Sequence, residues 1–276
     1  MNHPLGVMQG RLLPKYQGRY QAHPVGYWID EFPKAAALGL DCIEFILDYN
    51  DAERNPLLNA AGRDTIKRIS ADTGVNVLSI CADYFMEAPL HAADDSVSQA
   101  SSDILSRLIL AAYELGVRDI VIPCVDQSSL QSREQHERFR ERLKVHLPMA
   151  DRCQVNLALE TDLSPTNFAD LLSHLDHSRV TVNYDIGNSA ALGYDPEEEL
   201  AAYGEHISDV HIKDRTRGAG SVKLGTGHAD IPGFFTMLAK VNYNGPFIMQ
   251  AFRDDEGVAI FREQLNWLRG IVGEAT

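Results

Sequence analysis

No stretch of the 276 residues offers the roughly 20 consecutive apolar side chains that a membrane-spanning helix needs. The first residues, "MNHPLGVMQG", have no basic end, apolar stretch or small-residue cleavage site of an export signal, so the expectation is a soluble, cytoplasmic protein with no membrane partner. Cysteine is scarce. Cys42, Cys81, Cys124 and Cys153 are far apart, form no CxxC, and each lies in or beside an apolar run, which reads as reduced, buried small hydrophobes rather than disulfides or zinc ligands. Positive charge is also short: 25 Lys and Arg stand against 39 Asp and Glu, a net charge of −14 with histidines neutral. Such a surface repels a long phosphate backbone, which excludes nucleic acid as the expected partner. There is no linker, no low-complexity segment and no repeat of fixed 20–50-residue period, so a solenoid is excluded and residues 1–276 read as one domain. The first apolar run is followed by "GRLLPKYQGRYQAHP" with no GxGxxG turn, which argues against a dinucleotide-binding open sheet.

What is present is an alternation. Eight short β-branched or apolar runs, at 5–9, 41–46, 75–82, 119–124, 155–160, 179–185, 207–213 and 246–252, are separated by helical patterns. Several runs are almost continuously apolar, as parallel strands covered on both faces are. Ile104, Leu105, Leu108, Ile109, Ala112 and Leu115 form one helical stripe, closed by Gly116. Ser164-Pro165, Asp195-Pro196 and Asp230 with Pro232 each place a capping oxygen before a proline in the first helical turn, where the missing N–H costs no bond. Asp30 is expected to cap a first helix that contains Pro33, and Pro148 is expected to end or bend the helix around it. Eight strand–helix units in about 250 residues are the arithmetic of a (β/α)8 TIM barrel of the α/β class.

In a barrel of this kind chemistry gathers where strands end. The last four runs close on "LALE", "VNYD", "DVHIK" and "FIMQ", offering Glu160, Asp185, His211 and Gln250. Taken singly, each has an ordinary reading: a cap or loop ion pair for the carboxylates, a hydrogen-bonded core group for the histidine. Taken together, converging carboxylates repel and lose hydration unless a cation neutralises them. One divalent ion answers that. Oxygen and nitrogen donors without sulfur suit manganese, which is favoured, or magnesium, cobalt or zinc.

The motifs "GVMQGRL", "AAALGLDCIEF", "LALE", "NYDIGN", "DVHIKD", "GTGHADI" and "FIMQAFRD", spread over nearly the whole chain, resemble the xylose isomerase-like barrels. That family includes sugar and sugar-phosphate isomerases and epimerases, inosose dehydratases and AP endonucleases; the resemblance is greatest to the isomerase/epimerase branch. It implies that Glu160, Asp185 and His211 occupy three metal-ligand positions and Gln250 the fourth, and that the protein assembles as a dimer or tetramer. Two departures stand out. The epimerases usually carry glutamate where this chain has Gln250, and an amide binds metal through its carbonyl oxygen but is no general base. Asn188 stands where many relatives have histidine.

With Glu160 and Asp185 balancing a divalent ion, the expected reaction is isomerisation or epimerisation of a small sugar or sugar phosphate through an enediolate, and a single base suits aldose–ketose isomerisation better than two-base epimerisation. Glu160 serves as acid and base, and a loop residue such as Glu87 or Asp255 could supply a second base. A glycine-rich loop gathers Lys213, Arg215, Arg217, Lys223 and His228 as candidates for an anionic substrate group, with Lys213 and Arg217 favoured by the resemblance. Asn188, Glu44, Asp83, Gln9 and Arg11 are candidates for sugar hydroxyls or for pairing within the barrel. Trp28, Tyr84, Phe85 and Phe252 are candidates for a sugar face or for the core. Two alternatives stay open: a metal-dependent dehydratase of a keto-polyol, and a sugar-binding barrel impaired by Gln250.

Overall fold

The computed structural model describes residues 3–254 and 257–274. Its barrel strands are β1 (Leu5–Met8), β2 (Cys42–Ile46), β3 (Asn76–Cys81), β4 (Asp119–Cys124), β5 (Asn156–Thr161), β6 (Val180–Asp185), β7 (Ile207–Ile212) and β8 (Phe247–Met249), and outside the barrel Asp214–Arg215 pairs antiparallel with Ser221–Val222. The barrel strands close in the order β1-β8-β7-β6-β5-β4-β3-β2, every neighbour parallel, with Gly6 opposite Ile248 at the seam. All eight expected runs are strands of this barrel. The last is the shortest, so Gln250 lies just beyond β8, its N–H still bonded to the Ile212 carbonyl.

The helices α1 (Glu31–Ala37), α2 (Ala60–Thr73), α3 (Tyr84–Glu87), α4 (Asp95–Leu115), α5 (Arg133–Cys153), α6 (Pro165–Leu175), α7 (Ile186–Leu192), α8 (Pro196–Tyr203), α9 (Ile231–Leu238) and α10 (Val258–Glu274) follow the strands. Their start signals act as the sequence suggests: Ser164, Asp195 and Asp230 accept N–H bonds from Asn167, Glu197 and Gly233. The α4 stripe is buried except at its end, and Gly116 closes it at φ 73°, a left-handed conformation that glycine adopts without penalty.

Two expectations are corrected. Asp30 precedes α1 but makes no side-chain cap; the next residue, Glu31, is buried and accepts the N–H groups of Gly10 and Leu12 instead. α5 does not end at Pro148 but runs on through it to Cys153. The hydrogen bond that Pro148 cannot make would reach Lys144, and both residues lie on the solvent side, while Leu143, Leu147 and Ala150 hold the buried face on either side of the proline.

Side chains alternate across each strand. Outward ones join the main core under the helices, built around Phe32, Phe45, Phe139, Phe234 and Phe261. Inward ones form a small interior cluster of Met8, Cys42, Ile46, Cys81, Val121, Ala158 and Ile248. Gly6 belongs where it is, since a Cβ there would run into the Cys42 thiol. Cys42, Cys81 and Cys124 are buried, Cys153 is partly so, and all four are free thiols. Among the described residues no helix is long and apolar enough to cross a membrane.

Candidate metal centre and active site

The inward alternation carries polar side chains to the C-terminal end of the barrel. Glu160 ends the inward row of β5, Asp185 that of β6 and His211 that of β7; all three are buried, and one donor atom from each lies within 4.8 Å of the others. His211 is held from behind. Its Nε2 is 2.7 Å from Oε1 of Glu44 on β2, and Glu44 in turn accepts the Ser79 hydroxyl. An ionised carboxylate only accepts, so Nε2 carries the proton and Nδ1 faces Glu160 Oε2 at 3.6 Å. Burial opposes protonation of His211, but the surrounding carboxylates of Glu44, Glu160 and Asp209 prevail and push it up to about 10. Burial pushes the Glu160 carboxyl up to about 7, with Asp185 adding to the rise and His211 opposing it.

Asn183 and Asn188 fix Glu160. Asn183, two residues before Asp185 on the same inward row, donates to Oε2 at 2.9 Å, and Asn188 donates to Oε1 at 2.7 Å. Asp185 caps α7 through the Asn188 N–H at 2.8 Å and receives Lys213 Nζ at 3.3 Å. The Asn188 carbonyl takes Lys213 at 3.2 Å and Arg215 at 2.8 Å, so one amide links the carboxylate cluster to two cations.

The orientation of Gln250 follows from its neighbours. Arg11 is a pure donor and takes Gln21 Oε1 at 3.1 Å, while the Asp83 carboxylate takes Gln21 Nε2 at 3.1 Å. Gln250 therefore presents Nε2 to Gln21 Oε1, at 2.7 Å, and its own Oε1 is left buried with no partner. Burying a carbonyl oxygen without a partner costs on the order of 1–3 kcal/mol. A cation is the natural partner for it. Two carboxylates, His211 Nδ1 with the Asn183 amide 3.1 Å away, and one unpartnered amide oxygen are a donor set that fits a divalent ion, whose binding would displace the proton that the neighbouring carboxylates favour on the ring.

A cavity of about 360 Å³ opens above this end, lined by Glu160, Asn188, Lys213, Arg215 and Gln250 on the β5–β8 side and by Arg19, Gln21, Asp48, Tyr49, Asp83 and Glu87 on the other. The other sequence candidates fall elsewhere. Arg217 and His228 are exposed and bond within their own loop and to the Gly193 carbonyl, and neither lines the cavity. Lys223 pairs with Glu263. That loop is pinned by the buried Asp214, which accepts N–H groups of Gly225, Gly227 and Ala229. Glu44 is wholly enclosed behind His211, so it has no path to a sugar hydroxyl. Gln9 is occupied by the Ile46 N–H and His23. Trp28, Tyr84 and Phe85 pack on other rings, and the aromatic that lines the cavity is Tyr49. Glu87 accepts from Gln127 at the mouth; Asp255 lies outside the described residues. The sequence reading missed Asn183 and Gln21. Asn183 was within reach, because a residue two before a strand-end ligand shares its face; Gln21 sits in an irregular loop with no such period.

Fold and site together define a parallel (β/α)8 barrel with acidic and imidazole groups converging at the C-terminal ends of its strands. The chain belongs to the xylose isomerase-like TIM barrel family, whose family model matches residues 32–271. L-ribulose-5-phosphate 3-epimerase UlaE of Salmonella paratyphi A is 29% identical over 267 residues, covering 92% of this chain and 94% of that protein. The apo structure of the 3-keto-D-glucoside 4-epimerase YcjR from E. coli matches with a TM-score of 0.77 at 18% identity, over 98% of this chain and 100% of that one. A xylose isomerase-like TIM barrel protein from Mycobacterium smegmatis, solved in complex with magnesium, matches with a TM-score of 0.74 at 18% identity, over 99% and 97%.

Proposed function

We propose that the chain is a divalent-metal-dependent isomerase or epimerase of a small sugar or sugar phosphate, with Glu160 as acid and base and Glu160, Asp185, His211 and Gln250 holding the ion. One observation carries the reading: within the cluster of Glu160, Asp185 and His211, Glu160 is the member that also lines the cavity. Its carboxylate can therefore reach a substrate carbon while sharing the ligand cluster. The relative named as an L-ribulose-5-phosphate 3-epimerase supports the same class of substrate. Manganese is the favoured ion; magnesium, cobalt and zinc suit the same donors.

When bound, the ion would draw electron density from a ketose carbonyl and its neighbouring hydroxyl, lowering the cost of the enediolate. Glu160 removes the proton from the carbon beside the carbonyl. The amides of Asn183 and Asn188 hold the carboxylate to one orientation, so little reorganisation accompanies the transfer. Lys213 and Arg215, gathered on Asn188, place positive charge along the wall where enediolate oxygens develop charge. Incubation of the manganese-supplemented protein with ketopentoses, ketohexoses and their phosphates in deuterated water tests this. Solvent deuterium at the carbon beside the carbonyl, lost in Glu160→Gln, is the expected result; an ultraviolet-absorbing enone in its place would assign the site to dehydration.

A further inference from the structure

An amide at position 250 cannot move a proton, so the end of β8 offers no base to the second face of a substrate. The structure leads from that amide to a carboxylate. Gln250 Nε2 donates to Gln21 Oε1 at 2.7 Å, and Gln21 Nε2 donates to Asp83 Oδ2 at 3.1 Å. Asp83 follows β3, whereas Glu160, Asp185, His211 and Gln250 come from β5 to β8. Asp83 lines the same cavity as Glu160, from a different strand of the barrel mouth.

Asp83 is not spent on a helix cap, although its charge acts on the buried Arg11 guanidinium. It stands at the cap position of α3 but makes no capping bond there. Its side-chain partners are the Gln21 amide and, at 3.2 Å, the Cys81 thiol, both neutral donors, and it belongs to no ion pair among the described residues. Burial raises the carboxyl above its ordinary range.

We propose that Asp83 is the second acid–base group of the site, serving the face that Glu160 does not. This rests on the sugar isomerase or epimerase reading above and makes epimerisation the reaction. Glu160 takes the proton from the carbon beside the carbonyl, and the C–H electron pair moves in to form the enediolate. The Asp83 carboxylic acid then gives its proton to the same carbon from the other side, and the carbonyl re-forms. Glu160 ends protonated and Asp83 ionised; exchange of protons with water resets both, with no oxidant or reductant consumed.

The test compares wild type, Asp83→Asn, Glu160→Gln and the double variant Asp83→Asn/Gln250→Glu on the same ketose panel, with manganese, in deuterated water. Wild type is expected to give the epimer carrying solvent deuterium at the inverted carbon. Asp83→Asn is expected to lose at least 100-fold in inversion, while hydrogen at that carbon of the recovered substrate still washes out within a few fold of the wild-type rate, because Glu160 still removes and returns it. Glu160→Gln should lose both. The double variant should regain at least tenfold in inversion over Asp83→Asn. Inversion by Asp83→Asn within a few fold of wild type overturns this assignment alone, as does wild-type exchange without inversion. Loss of washout together with inversion in a folded, manganese-binding Asp83→Asn reduces the residue to a structural role and overturns it too. Absence of any exchange by wild type overturns both this assignment and the function beneath it.

Discussion

His211 and Glu44 meet inside the barrel, Nε2 to Oε1 at 2.7 Å, with both side chains at 0% exposure. The contact fixes which ring nitrogen points at the candidate metal centre. Partners of this kind behind a ligating histidine are typically worth about 10–100-fold in metal affinity. Glu44→Ala is therefore expected to weaken manganese binding by about that factor. Glu44→Gln, whose carbonyl can still accept from Nε2 while its amide group faces Ser79, should lose less than about tenfold. Titration of free manganese by electron paramagnetic resonance measures both; equal affinity in Glu44→Ala and wild type would show that the contact does not orient the ring.

Glu199 ties α8 to the strand and helix that carry Asp185 and Asn188. Its carboxylate accepts hydroxyls from Tyr184 at 2.6 Å, Tyr203 at 2.8 Å and Ser189. Glu199→Gln replaces one acceptor oxygen by a donor and leaves at least one buried hydroxyl mispaired, at a cost of about 1–3 kcal/mol. Urea denaturation should show a lower midpoint at unchanged slope. An unchanged midpoint would mean that the network adds nothing to stability.

His23 links the fold to pH. It is buried against Trp28 and Phe45, its Nδ1 faces Gln9 and its Nε2 has no partner, and burial pushes it down to about 3. An unfolded chain protonates this histidine near 6.5, so below that pH the unfolded state holds a proton the folded state refuses. Stability is then lost as pH falls from 6.5 towards 3, by about 1.4 kcal/mol per unit from this residue. Between pH 7.5 and 5, His23→Gln should lose about 2 kcal/mol less than wild type in urea titrations. Parallel losses in the two proteins would place the acid sensitivity elsewhere.

The barrel was legible because each strand carries its own local signal and each helix its own cap. Ser164, Asp195, Asp230 and Gly116 mark boundaries through bonds made within a few residues, and local bonds are what a sequence displays. Glu160, Asp185 and His211 were legible as candidates because they end strands whose alternation sets their face. Arg217, His228 and Glu44 were placed less well. The direction of a loop arginine depends on where its loop is pinned, and that is set by Asp214 reaching Gly225 and Gly227. Glu44 looks like a strand end, but its partner lies 167 residues away. The bridge from Gln250 through Gln21 to Asp83 spans 229 residues in one step, and no periodicity predicts it.

The central claim is that Glu160, Asp185, His211 and Gln250 surround one cation. An anomalous difference map from crystals grown with manganese tests it most directly. The expected result is a single peak at coordination distance from Glu160, Asp185, His211 Nδ1 and Gln250 Oε1. A map with no peak there, or a peak that leaves Gln250 Oε1 without a partner, would contradict it.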